Sequence, residues 1–338
     1  MAGVTTVLSG IQPTQEPQLG NYLGALRWWV DLQHGNDAYY FVVDLHALTV
    51  PRDPAELRSS TTTMATMLLA LGLDPDTCTL FVQSHVPAHA QLAWLLECTA
   101  SYGEMNRMTQ WKDKSAKGGA DASRFGLLAY PALQAADILL YRTDRVPVGE
   151  DQRQHLELAR NLAERFNARY GETFVVPDAV IPPRSGGARI MDLQEPTKKM
   201  SKSAENTMGT LFLLDDPATI TRKIRRAVTD TETGPDSVRY DPVRKPGVSN
   251  LLDLLAICTG KTPAEVASGY RQYGPLKADT ADAVIELLAP IQARYHDLAS
   301  DPGAVAKVLA AGAEHAREVA APTLAGAYEA IGLMAPAG

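Results

Sequence analysis

Short apolar runs and helical stretches alternate through the first hundred residues, and this alternation constrains the fold more than any other feature. The apolar runs 4–8, 38–43 and 79–83 have the length and residue types of buried strands. Helical patterns follow them, for example over residues 88–99. Strands that alternate with helices predict a parallel sheet with both faces covered, which binds ligands at the carboxyl ends of its strands.

The second half of the chain has a helical period instead. After a further helix over 126–141 and a short strand over 145–148, helices are predicted over 215–228, 251–259, 276–296 and 303–331, the last broken near Pro322. The stretch 102–124 is charged and irregular, typical of either an active-site loop or a solvated one. We therefore predict an α/β protein with a Rossmann-like parallel-sheet catalytic domain over 1–204. An α-helical domain follows over 205–338, with its last helix as a candidate to pack back on the first.

Composition excludes several classes of protein. The 338 residues are 45% hydrophobic, enough for a large core, and no stretch reaches the roughly 20 apolar residues of a membrane span. With no secretory leader at the N-terminus, a cytoplasmic location without membrane attachment is expected. The net charge of -7 disfavours indiscriminate nucleic-acid binding, so such a partner needs a local basic patch. Residues 222–226 are one candidate, although they equally fit the polar face of an amphipathic helix.

No protein-held metal is predicted. Cys78, Cys98 and Cys258 are few, odd in number and far apart, unlike a disulfide framework or a zinc cluster. His85 and His89 have a spacing found in metal sites, but Pro87 between them disturbs the helical face that would align them.

Two segments carry the chemistry. Three lysines lie within residues 198–202, among hydroxyls and with little to bury, so their charges are available to an anionic ligand. Residues 18–21 follow the first apolar run at a predicted strand, turn and helix start, where free backbone N–H groups bind anions. The chain offers neither a plausible covalent nucleophile nor a P-loop. This inventory suits a reaction in which charge builds up at phosphorus.

Residues 199–203, KMSKS, match the loop of that name in class I aminoacyl-tRNA synthetases, and 13–21 resemble their HIGH-type signature. With the segments 135–141, 146–152 and 245–251, the chain resembles bacterial tryptophanyl-tRNA synthetases over nearly its whole length. The resemblance implies a ligase that activates L-tryptophan with ATP and transfers tryptophan to the 3′ terminal adenosine of tRNA(Trp). It also implies Mg²⁺ brought with ATP, a homodimer, and anticodon binding by residues 205–338.

The resemblance assigns roles by position. ATP binding falls to Gln12, Pro13, Thr14, Gly20, Asn21, Gly149, Glu150, Asp151, Ile190, Lys199, Met200, Ser201, Lys202 and Ser203. Catalysis falls to Gln12, Lys114, Lys199 and Lys202. Tryptophan binding falls to Gly10, His46, Tyr130, Gln134, Asp137, Val146, Val148 and Gln152. Alternatives remain for His46, as a satisfied histidine at a strand end, and for Glu150 and Asp151, as helix caps.

Asp137 stands out because it falls on the apolar face of a predicted helix. An unpaired carboxylate is costly there, so it needs a dedicated partner in the protein or the ligand. The resemblance makes it the residue that accepts a hydrogen bond from the indole N–H. Two positions depart from the family: Gln18 stands where many relatives carry histidine, and Gln134 where several bacterial members carry methionine. We expect Gln134 to alter how the pocket treats tryptophan analogues.

Three rival functions fit less well. A tyrosyl-tRNA synthetase shares the fold and the signatures, and only the pocket around Asp137, Val146 and Val148 favours an indole. A non-catalytic tRNA-binding paralogue is disfavoured by the retained Lys199 and Lys202. A broader nucleotidyl transferase is disfavoured by the KMSKS loop and the helical tail.

Overall fold

The structure is a computed structural model that describes residues 5–13, 17–118, 124–147, 152–180, 190–200 and 207–334. The chain forms two compact units, each assembled from separate segments. The sheet unit holds residues 1–14, 29–182 and 301–338, and the helical unit holds 15–28 and 183–300. The functional boundary expected at residue 204 stays a prediction.

A five-stranded parallel sheet organises the sheet unit. Its strands are β1 (Thr5–Ile11), β2 (Asn36–Val42), β3 (Thr79–Val82), β4 (Arg145–Pro147) and β5 (Asp178–Val180), in the order β3-β2-β1-β4-β5. The α/β prediction is confirmed, whereas β5 was not predicted because three residues carry too little pattern. From β1 the chain adds β2 and β3 on one side, and after β3 it crosses over to add β4 and β5 on the other side of β1. Between β1 and β4 lies the switch point where ligands bind in such sheets.

Helices make up most of the rest. They are α1 (Leu19–Asn21), a π-helical stretch Tyr22–Leu26, α2 (Arg27–Leu32), α3 (Asp44–Ala47), α4 (Pro54–Ala70), α5 (Ala88–Thr99), α6 (Tyr102–Asn106), α7 (Thr109–Gly118), α8 (Phe125–Leu140), α9 (Arg153–Tyr170), α10 (Pro217–Arg225), α11 (Pro246–Thr259), α12 (Pro263–Ser268), α13 (Tyr273–Ser300) and α14 (Pro302–Ala330). Short 3₁₀ turns occupy Gln83–His85 and Thr207–Gly209. Among the described helices, none has the combined length and apolarity that a membrane crossing requires.

The core of the sheet unit lies between β1–β3 and helices α5, α8 and α14. Phe41 and Phe81 stack at its centre with ring centroids 4.9 Å apart. The break expected in α14 near Pro322 is wrong, because the helix is continuous through it. Burial of Ala320 and Leu324 in the core on either side stabilises the helix and offsets the loss of one backbone hydrogen bond.

Residues 102–106 and 109–118 are helical, so the expectation of an irregular loop is wrong for this part of 102–124. Ser101 and Glu104 form a reciprocal capping box that starts α6. Arg165 donates to both oxygens of Glu104, at 2.6 and 2.9 Å, and these bonds lower the pKa of Glu104 to about 2. This S-x-x-E pattern was present in the sequence and was missed. Residues 119–123 lie outside the described ranges.

Two buried lysines stabilise the helical unit. Lys245, 2% exposed, donates to Asp230 at 2.9 Å and pairs with Glu232 at 2.8 Å. Burial alone raises the pKa of Asp230, but hydrogen bonds from Tyr273 and Lys245 outweigh it and hold the value near 2. Lys223 is 4% exposed, bonds Asp215 at 2.6 Å and lies 4.9 Å from the centre of the Phe212 ring. Its charge is paired inside the protein, so the candidate basic patch at 222–226 loses one of its four basic side chains.

Candidate active site

A pocket of about 330 Å³ lies in the sheet unit beside the carboxyl end of β1. Its apolar lining comes from Leu8, Phe41, Val43, Ile138 and Val146. Its remaining lining comes from Ser9, Gly10, Gln12, His46, Gln110, Tyr130, Gln134, Asp137 and Gln152. The volume lies at the small end of the roughly 300–1,000 Å³ range of ligand pockets, and mixed walls with a few polar groups are typical of them.

Helix and strand geometry brings these side chains together. Tyr130, Gln134 and Asp137 are spaced four and three residues apart on α8 and therefore share one face. Gly10 lines the pocket near the carboxyl end of β1, and a Cβ at this position would come within 2.5 Å of Val43 Cγ1. A side chain at residue 10 would thus displace Val43, which lines the same pocket. All the residues assigned to tryptophan binding line this one pocket except Val148, which lies outside the described ranges.

Asp137 is 3% exposed and accepts three hydrogen bonds from the protein. Its Oδ2 bonds His46 Nε2 at 2.8 Å, and its Oδ1 bonds Gln83 Nε2 at 2.7 Å and His89 Nδ1 at 2.6 Å. Burial raises the pKa of Asp137, but the interactions with His46, followed by those with His89, outweigh it and lower the pKa to about 2. The carboxylate is ionised at neutral pH and has acceptor capacity for one further donor.

His89 is held by a partner on each ring nitrogen. Its Nε2 lies 2.8 Å from the hydroxyl of Tyr141. Burial, with the nearby Asp137 charge, raises the pKa of Tyr141. This hydroxyl therefore stays protonated and donates a hydrogen bond to Nε2. Nδ1 then carries the proton that His89 donates to Asp137. A metal at His85 and His89 is excluded by these bonds.

The sequence argument missed Gln83 and His89, which bond Asp137, and also Gln110, which lines the pocket. His89 had been weighed only as a metal ligand, and Gln83 only as the end of a strand. Both are fully buried. The available signal was their polarity: buried amides and imidazoles require partners, and a buried aspartate elsewhere requires donors.

Tyr130 forms the wall opposite the strands. Its hydroxyl lies 2.6 Å from His155 Nε2 and 3.1 Å from Gln110 Oε1, and burial raises its pKa to about 12. Its ring meets that of His46 edge-on, with centroids 6.0 Å apart. Gln134 reaches Gln152 through a long hydrogen bond of 3.4 Å. The aromatic wall is therefore firmly fixed, and Gln134 is held more loosely.

Residues assigned to ATP occur in both units. Gln12 lines the pocket and Pro13 follows it, whereas Gly20, Asn21, Ile190, Lys199 and Met200 belong to the helical unit. Thr14, Gly149, Glu150, Asp151, Ser201, Lys202 and Ser203 lie outside the described ranges, as does the side chain of Lys114 on α7. The nucleotide assignments stay predictions.

Comparison with known proteins gives consistent matches across the chain. The family described as tRNA synthetases class I (W and Y) matches residues 2–289. The tryptophan–tRNA ligase of Corynebacterium glutamicum is 55% identical over 332 residues, 97% of this chain and 95% of that protein.

Two solved structures are similar along their whole length. Tryptophanyl-tRNA synthetase from Mycoplasma pneumoniae has a TM-score of 0.88 and 36% identity, covering 98% of this chain and 99% of its own. The enzyme from Campylobacter jejuni, complexed with ADP and tryptophan, has a TM-score of 0.83 and 32% identity, covering 97% and 100%. With a family match over most of its residues, this chain belongs to the class I tRNA synthetases, in the family of the tryptophan and tyrosine enzymes.

Proposed function

We propose that this chain is a tryptophan–tRNA ligase, which activates L-tryptophan with ATP and transfers it to tRNA(Trp). One observation carries the choice of amino acid: an ionised, firmly held Asp137 on the wall of a small, partly apolar pocket. The relatives at 55% identity are named for the same activity.

Asp137 suits an indole because the indole nitrogen is only a donor. A carboxylate with one acceptor position left pairs with it, while Phe41, Val43, Ile138 and Val146 contact the ring faces. The protein partners of Asp137 also modify the expected discrimination. With phenylalanine bound, Asp137 would lack the indole donor but would keep its three hydrogen bonds from the protein. The pocket therefore rejects phenylalanine less strongly than it would if Asp137 had no partner in the protein.

The first step joins tryptophan to the nucleotide. A carboxylate oxygen of tryptophan attacks the α-phosphorus of ATP, and the bond to pyrophosphate breaks. Negative charge grows on the leaving group, so cations and oriented donors supply most of the stabilisation. By resemblance these are Lys199 and Lys202 of the KMSKS segment, with Lys114 and Gln12. In the second step a hydroxyl of the terminal adenosine of tRNA attacks the tryptophanyl carbonyl, and AMP leaves.

Mg²⁺ enters this proposal with ATP. Within the described ranges, no cluster of three or more His, Cys, Asp or Glu side chains could hold a metal ion. A magnesium ion carried by phosphate oxygens and water needs no such cluster. When bound, it would neutralise charge on the triphosphate. Anticodon binding by residues 205–338 and a cytoplasmic location are further parts of the proposal.

Pyrophosphate exchange measured with each of the twenty amino acids tests the specificity. We expect tryptophan alone to support exchange, because only its side chain combines an indole-sized ring with a donor at the depth of Asp137. Activity with tyrosine but not tryptophan would make the chain a tyrosyl enzyme. No exchange with any amino acid would favour a non-catalytic tRNA-binding protein.

The same assay with ring-substituted tryptophans tests Gln134. Its amide lines the pocket, and among the described residues its one hydrogen bond is the long one to Gln152. We expect Gln134→Met to change the ratio of kcat/KM between tryptophan and its analogues by several-fold, because an apolar thioether replaces a polar neighbour of the ring. Identical analogue profiles for the two proteins would show that residue 134 has no part in selectivity.

A homodimer is the remaining partner in the proposal. Trp94, Tyr102 and Phe125 are 65%, 71% and 74% exposed, on helices α5, α6 and α8, of which α8 packs against the other two. Large exposed aromatic side chains are typical of interaction surfaces. We expect sedimentation to give twice the chain mass of 36.5 kDa and Trp94→Glu to shift the protein toward monomer. A monomeric parent protein would contradict the dimer without touching the activity.

A further inference from the structure

Gln18, within the HIGH-type signature 13–21, uses both ends of its side-chain amide inside the helical unit. Its Nε2 donates to the carbonyl oxygen of Met200 at 3.0 Å, and its Oε1 accepts from the backbone N–H of Gly20 at 2.6 Å. The side chain is 2% exposed, and the backbone forms an antiparallel bridge with Phe212. Gln18 therefore links the two signature segments directly.

A second buried side-chain amide, that of Asn250, holds the segment 190–192, which pairs with the segment 198–200. Met191 forms an antiparallel bridge with Lys199, and the N–H of Met200 donates to the carbonyl of Ile190 at 3.1 Å. Asn250 on α11 donates from Nδ2 to the carbonyl of Met191 and accepts from its N–H, both at 2.9 Å. Asn250 is 2% exposed. The two paired segments 190–192 and 198–200 are thus anchored by one buried amide each.

These anchors act on the backbone that carries Lys199. The Lys199 side chain is exposed, whereas Met200 beside it is 1% exposed. A lysine has a long, flexible stem, so the place its ammonium reaches depends on how firmly its backbone is held. Displacement of a catalytic group by about 1 Å lowers rates by roughly a hundredfold.

We propose that Gln18 and Asn250 are positioning residues for Lys199, which they serve by fixing the backbone of residues 191, 199 and 200. The inference rests on the proposed function, in which Lys199 neutralises charge on the triphosphate. It also accounts for a glutamine where many relatives carry histidine. In this chain, residue 18 links the signatures instead of contacting phosphate.

Two near-isosteric variants remove one donor each. Gln18→Glu keeps the acceptor for Gly20 but places an oxygen against the Met200 carbonyl, and Asn250→Asp does the same at Met191. Gln194→Glu is the matched control, because Gln194 Nε2 donates in the same way to the carbonyl of Arg226 at 3.0 Å. We expect kcat for exchange to fall about tenfold or more in the first two variants, with KM for tryptophan unchanged, and no change in the control.

A double-variant cycle with Lys199→Ala separates positioning from general damage. Because Gln18 is proposed to act through Lys199, Gln18→Glu should cost nothing further when Lys199 is already alanine. An equal tenfold loss in that background, or a loss confined to KM for tryptophan, would overturn the proposal.

Hydrogen–deuterium exchange of the ligand-free protein gives a readout independent of activity. The amides of Asp192 and Met200, which bond the carbonyls of Lys198 and Ile190, should exchange faster in both variants and not in Gln194→Glu. Unchanged exchange rates of these two amides in the variants would refute the anchoring role, even if the enzyme is active. A wild-type protein without exchange activity would instead refute the proposed function, while the amide measurement would still decide the anchoring.

Discussion

Replacing Asp137 by asparagine is expected to lower kcat/KM for tryptophan in pyrophosphate exchange by about 100-fold, mainly through KM. A hydrogen bond to a charged group contributes roughly 1.5–3 kcal/mol, which corresponds to about 10- to 150-fold. The asparagine amide N–H₂ would also face the donors of His46, Gln83 and His89, and part of the loss comes from the misplaced side chain. KM for ATP should change little.

Asp144→Asn is the control, because it removes an exposed carboxylate of the same unit outside the pocket. Thermal unfolding of each variant shows how much of the loss reflects stability. Equal kinetics for Asp137→Asn and the parent protein would exclude Asp137 from tryptophan recognition. A loss confined to KM for ATP would place it at the nucleotide instead.

The pH dependence follows from the same carboxylate. The folded-state pKa of Asp137, about 2, lies below the usual value near 3.9. The ionised form therefore stabilises the fold above pH 4, and this contribution is lost as the pH falls from about 4 toward 2. KM for tryptophan should consequently show no titration of Asp137 between pH 5 and 8. An acid limb in that interval must come from another group.

The second large effect is expected at Lys199. Lys199→Ala should lower kcat for exchange by about 100-fold or more, the typical cost of removing one group that stabilises transition-state charge. Its side chain is exposed and, within the described residues, no carboxylate pairs with it. The Lys199 ammonium is therefore available to bind the triphosphate of ATP. Its removal should leave the melting temperature of the protein nearly unchanged.

Lys198→Ala is the matched control for this variant. Lys198 is the preceding residue and is also exposed, but it pairs with Glu195 at 2.5 Å, and this pairing raises its pKa. We expect its replacement to leave exchange within about twofold, as for a typical surface ion pair. Equal losses in the two variants would mean that bulk positive charge matters and not the position of one ammonium.

The fold was predictable where sequence periodicity was strong. The helix over 88–99, the helix α8 and the position of Asp137 on its apolar face followed from spacing, whereas Tyr130 and Gln134 were assigned to the pocket by resemblance. The strand Asp178–Val180 and the continuity of α14 through Pro322 did not, because tertiary burial overrode weak or contrary local signals. Local patterns cannot show which distant side chains meet.

The pocket shows the same division. The need of Asp137 for a partner followed from burial, but two of its three partners, Gln83 and His89, lie 54 and 48 residues away and were not predicted. Pairings at such separation are set by the packing of α5 and β3 against α8. The link from Gln18 to Met200 spans 182 residues and was equally hidden. Sequence indicated which groups needed partners, and the structure supplied them.

The last helix has a consequence for how the protein is made. Helix α14 packs against β3, the edge strand, so closely that Gly312 leaves no room for a Cβ beside the Leu80 carbonyl. An uncovered edge strand is open to pairing with other chains. On the ribosome, β3 emerges more than two hundred residues before α14. A nascent polypeptide that has not yet reached α14 therefore carries β3 as an unprotected edge strand, and the docking of α14 covers it.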